Sequence, residues 1–163
     1  MGPELMLIGG AVQAVGAIQA GQAQKAEANA RAQANQYNAK VKEMQAGIER
    51  SQANAREEQQ RRKGRQVLGA QRAGIAQAGI GFTGSAVDIM EQSADLAELD
   101  ALNIRYEGEL RSTGLLADAE AELYEADVNR MAGRNAMKAA YINAGSALIG
   151  GASNYYGYKA MTT

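Results

Sequence analysis

The chain has 163 residues, is 46% apolar and carries a formal charge of -1, with no Cys, no His and a single Pro. The missing Cys and His exclude disulfides, thiol chemistry and imidazole acid, base or metal-ligand roles. Ala is the largest part of the apolar share, with one Phe and no Trp, so large side chains are too few to fill a close-packed core.

A chain of this kind forms long thin helices and finds its burial against neighbours, because isolated helices are marginal without tertiary packing. Pro3 is the only proline, so helix is permitted from residue 4 onward, although the 19 glycines each weaken it locally. The near-neutral total hides an asymmetry. Residues 1–86 hold 11 Lys/Arg against 6 Asp/Glu, residues 87–127 hold 2 against 12, and residues 128–163 hold 4 against none. Arms of opposite sign suit antiparallel pairing, although each exposed ion pair is worth only about 0–1 kcal/mol.

Residues 1–21 form the first segment, apolar and rich in small residues. No basic region precedes it, so a secretory signal is not expected. The run falls short of the roughly 20 apolar residues a spanning helix needs, and Gln13 and Gln19 interrupt it. Gly9, Gly10, Ala14, Gly16 and Ala20 bring small residues to three- and four-residue spacing, which close helix contact requires in protein and in lipid alike. Leu5, Leu7, Ile8, Val12, Val15 and Ile18 are its candidate membrane or partner contacts.

Residues 22–78 are rich in Ala, Gln, Arg, Lys and Glu, strong helix formers or nearly so, and predict a long basic helix. Steps of four and three link Ala30, Ala34, Tyr37, Val41, Met44, Ile48, Ser51 and Ala55. That is coiled-coil spacing, and Tyr37, Val41, Met44 and Ile48 are the expected helix seam. From Arg56 to Arg72 the helix turns basic, with Arg61, Arg62, Lys63 and Arg65 between.

The stretch 79–85 interrupts the helical pattern with Gly79, Gly81 and Gly84 beside Phe82, the only Phe. Glycine tolerates the positive φ a reversal needs, and Thr83 or Ser85 can cap the next helix, with Asp88 in its first turn. These features predict the bend of a hairpin at Gly79, Gly81, Phe82 and Gly84. Folding about Gly81 and Phe82 would set Arg72 near Glu91, Arg65 near Glu98, Lys63 near Asp100, Arg56 near Glu107 and Lys42 near Glu122. The same charges can pair between subunits instead. The basic run is also the electrostatic footprint of phosphate binding, so weak contact with nucleic acid is the competing expectation.

Residues 86–138 predict a second, acidic helix with two apolar stripes. One runs Val87, Met90, Ala94, Ala97, Ala101, Ile104, Gly108; the other, rotated from it, runs Leu99, Leu102, Tyr106, Leu110, Ala117, Tyr124, Val128, Met131. Two stripes mean more than one neighbour. The acidic residues suggest no chemistry: bundle di-metal sites need Glu-x-x-His, and paired carboxylates without aromatic platforms or a cleft are weak grounds for glycoside hydrolysis. No enzyme activity, cofactor or metal is expected.

Residues 139–163 return to small apolar residues and mirror the first segment. In an antiparallel hairpin both apolar ends meet at the pole away from the bend. Tyr141, Tyr155, Tyr156 and Tyr158 suit a membrane interface and suit a protein partner equally. With Ile142, Leu148 and Ile149, Tyr141, Tyr155 and Tyr156 are the candidate contacts of this end. The expected fold is all-α: a long antiparallel helical hairpin with apolar helical terminal segments, packed like a coiled coil in a homo-oligomeric assembly.

This order of segments resembles the smallest internal virion, or ejection, proteins of short-tailed bacteriophages. The likeness is most motif-like over Gln71-Arg72-Ala73-Gly74-Ile75-Ala76-Gln77-Ala78-Gly79-Ile80-Gly81-Phe82-Thr83-Gly84-Ser85-Ala86-Val87-Asp88-Ile89-Met90, similar to the arginine, small-residue, Gly-Ser, then apolar-Asp turn of those proteins. The resemblance implies a structural protein held in the virion interior or portal and tail region. It would be released at infection to help form a channel through the host envelope for the genome. The implied partners are the portal, the tail, larger ejection proteins, the host membrane and, weakly, genomic DNA. The main alternative is a permanent portal-, tail- or capsid-associated protein with no membrane role. A secreted hairpin effector would carry Trp-x-Gly at its bend, where this chain has Gly-Phe-Thr-Gly.

Overall fold

A computed structural model describes the backbone of residues 4–79 and 84–162 and most of their side chains; those of residues 4–8, 86, 154–155 and 158–162 lie outside the description. It holds two helices, α1 (Glu4–Gln77) and α2 (Ser85–Thr162), packed against each other as an antiparallel helical hairpin. Among the described residues there are no strands. The contacts fall into two compact units, one of residues 1–39 with 121–163 and the other of residues 40–120.

In the first unit the helices meet where side chains are smallest. A methyl group built on Gly21 would overlap that of Ala140, and one built on Gly133 would lie 3.0 Å from Ala28 Cβ. Gly10 faces the backbone of Ala147 and Gly151. Ala14, Ala32, Ala39, Ala126, Ala140 and Ala144 are buried here. Asn35 Nδ2 donates to Glu125 Oε2 across the pair at 3.0 Å.

The second unit is built in the same way. A methyl group on Gly108 would overlap that of Ala53, and one on Gly64 would lie 2.8 Å from Ala97 Cβ. Ala46, Ala53, Ala101 and Ala119 are buried, together with Ser112 and most of Glu57. No large apolar side chain is among the described buried ones in either unit. Alanine removes little apolar area from water, at about 25 cal/mol per Å², so the gain per turn is small.

Each helix meets the other through residues separated by sevens and elevens. On α1 these are Gly10, Gly21, Ala32, Ala39, Ala46, Ala53 and Gly64; on α2 they are Gly108, Ala119, Ala126, Gly133 and Ala140. At 3.6 residues per turn, seven residues fall about 20° short of two full turns and eleven overshoot three by a similar angle. Mixing the two steps keeps the small residues on one face.

The seam expected from spacing is on the other side of α1. Tyr37, Met44 and Ile48 are exposed at 69%, 62% and 49%, Val41 is half-buried, and Ala30, Ala34, Ser51 and Ala55 are exposed. Two residues either side of a buried alanine is about 160° round the helix, so these residues point away from α2. The inward positions belong to alanine because the backbones approach too closely for anything larger. On α2 the first apolar stripe does face α1, with Ala101 and Gly108 buried and Met90, Ala94, Ala97 and Ile104 half-buried. Its bend-proximal member, Val87, stays 42% exposed.

The register keeps Arg72 beside Glu91 in one groove but differs at three other pairs expected about Gly81 and Phe82. Arg61, not Arg65, reaches Glu98, at 2.7 Å; Gln60 Nε2, not Lys63, reaches Asp100, at 3.4 Å. Arg56 bonds Gln52 on its own helix, and Glu107 pairs with Arg111. Steric fit at Gly64 and Gly108 sets this alignment, since exposed ion pairs are too weak to override it.

Candidate functional surface

The reversal is built from its two flanks. α1 ends in a turn in which Ala78 N donates to Gly74 O and Gly79 N to Ala76 O, and Gly79 takes φ +66°. A left-handed glycine just past the last helical residue is a common helix stop. Gly84, with φ +61°, stands at the N-cap of α2, its carbonyl accepting from Val87 N and Asp88 N. Asp88 lies in the first turn, where the macrodipole favours a carboxylate. Ser85 is the first helical residue, so capping falls to the Gly84 backbone. Gly81, Phe82 and Thr83 lie outside the described residues.

The large apolar side chains form the outer surface. On α2 the second stripe is exposed: Leu99 55%, Tyr106 61%, Leu110 54% and Tyr124 73%. Leu102, Val128 and Met131 join it, at 42%, 41% and 50%. In the first unit Val12 and Val15 are exposed and line a shallow trough with Ala11, Gly16 and Gln19, while Ile18 is half-buried. Tyr141, Ile142, Leu148, Ile149 and Tyr156 are exposed. The side chains of Leu5, Leu7, Ile8 and Tyr155 lie outside the description. Ser146 and Ser153 donate to the carbonyls of Ile142 and Gly150, at 3.0 Å each. Their hydroxyls are thereby satisfied by the helix itself, which leaves the surface around them more apolar.

Most of the ion pairs among the described residues run along single helices. Arg31 with Glu27, Arg62 with Glu58, Arg105 with Glu109 and Arg111 with Glu107 are pairs four residues apart. Arg61 joins the two helices, bridging Glu57 at 3.0 Å on its own helix and Glu98 on α2. Beside it runs a groove of the second unit in two stretches of about 370 and 510 Å³, which share Leu68 and Ala94. Arg61, Arg65 and Arg72 line it from α1, and Glu91, Asp95 and Glu98 from α2.

Compared with protein-family models, curated proteins and solved structures, the chain matches none. Among the described residues no helix is long and apolar enough to cross a membrane, and no three acidic side chains converge as a metal site would require. What the geometry offers is surface: a slender interior of small residues, an outward apolar face, and one groove with charges of both signs. The groove escaped sequence reasoning because its members become neighbours only once the phase of both helices is known.

Proposed function

We propose that this chain is an internal virion protein of a short-tailed bacteriophage, an ejection protein that assembles near the portal and tail. At infection it is released and helps form a channel through the host envelope for the genome. The observation that carries this reading is the inversion of the usual apolar arrangement, with alanine and glycine between the helices and Tyr37, Met44, Leu99, Leu110 and Tyr124 on the outside. A hairpin built this way is completed by copies of itself and by portal, tail and larger ejection proteins. Its helices also part at small cost, because little apolar area separates them from water. That suits a chain that leaves through a narrow tail and reassembles. The phage setting comes from the likeness over residues 71–90.

The test is to quantify the chain in intact particles and in particles that have emptied their genomes. Loss in step with the genome is expected; full retention in spent particles would contradict release. One observation favours the second reading, a permanent portal-, tail- or capsid-associated part: no described helix can cross a membrane. Dye-loaded liposomes separate the two, with leakage expected of an ejected protein and none, at any concentration or pH, of a stationary one.

A further inference from the structure

We infer that the bend-proximal groove of the second unit is a self-association surface. In it α1 of one copy lies on α2 of a second copy, with both reversals at the same end. The groove holds Leu68, Val87 and Met90 as an apolar floor. Arg65 and Arg72 stand on its α1 side, Glu91 and Asp95 on its α2 side. Among the described residues these four make no hydrogen bond or ion pair, whereas Arg61 and Glu98 beside them are already paired.

Charge complementarity selects the occupant. Within the unit Gly64 is level with Ala97, and Gln71 Nε2 donates to Ser93 Oγ at 3.3 Å, so Arg65 is level with Asp95 and Arg72 with Glu91. A two-fold axis parallel to the helices lays α1 of one copy over α2 of the other at the same level. Each unpaired arginine then meets an unpaired carboxylate, twice over by symmetry. Reversing the second copy lays α1 on α1 and sets arginine against arginine, which opposes that arrangement. A polyanion such as DNA is disfavoured because the carboxylates in the same groove repel it as strongly as the arginines attract it.

The inference rests on the self-association in the proposed function and not on the virion setting. It is tested by sedimentation of the full chain at low salt, comparing wild type with Arg65→Glu/Arg72→Glu, with Glu91→Arg/Asp95→Arg, and with an equimolar mixture of the two. Each variant alone is expected to raise the dissociation constant by roughly tenfold or more through like-charge contact. The mixture should restore wild-type association, since every contact across it again joins opposite charges. Arg65→Gln/Arg72→Gln, which leaves helix propensity nearly unchanged, should give an intermediate loss. Wild-type association that none of the variants alters would overturn the groove while leaving self-association standing, and so would a mixture no tighter than its parts. A wild-type chain that stays monomeric would overturn both.

Discussion

Glycines on the inner face of the hairpin and glycines on its outer face are the same residue doing opposite work. Gly21, Gly64, Gly108 and Gly133 sit where a methyl group would overlap or crowd an alanine of the other helix, while Gly47, Gly69 and Gly114 have nothing within 4 Å. The inner set lets two backbones close on each other, and its missing side chains are the reason the helices touch there. The outer set only loosens the helix. Small residues therefore stabilise this fold on one face and weaken it on the other, so glycine content alone does not tell how firmly such a hairpin holds.

The largest effect that should separate the faces is at Gly108. Gly108→Leu forces a bulky group onto the Ala53 methyl and backbone; urea unfolding should show a loss of about 3 kcal/mol, the upper part of the usual overpacking range. An unchanged midpoint would mean that the helices are not this close in solution. Gly79 is a third kind of position, with open space around it but φ +66°. Gly79→Val should destabilise by about 1–2 kcal/mol through the left-handed backbone alone, and Gly79→Asn should recover much of that, because Asn tolerates this region. Smallest, and of opposite sign, is Gly114→Ala, which meets nothing and should stabilise by about 0.5–1 kcal/mol. A loss there would place residue 114 in a contact.

The two helices could be read in the sequence from helix formers unbroken by proline after Pro3, and the interruption from glycines at 79 and 84 that do take positive φ. The inward face could not. Alanine occurs on every side of α1, so Ala32, Ala39, Ala46 and Ala53 do not stand out. The heptad that does stand out, Tyr37, Val41, Met44 and Ile48, is made of large residues that the close approach of the backbones pushes outward. Steps of seven mixed with steps of eleven also defeat any single period. The register was hidden for a related reason: charge runs suggested Arg65 with Glu98, but steric fit at Gly64 and Gly108 decides, and it gives Glu98 to Arg61. That shift takes Glu98 from Arg65 and leaves Arg65 to the groove.

Thermal unfolding followed by circular dichroism, at protein concentrations spanning two decades, addresses most directly whether an alanine-lined pair of helices is stabilised by further copies. The midpoint should rise with concentration, as mass action requires of a fold completed by association. A cooperative transition at a fixed temperature, from a species that sediments as a monomer throughout, would contradict it.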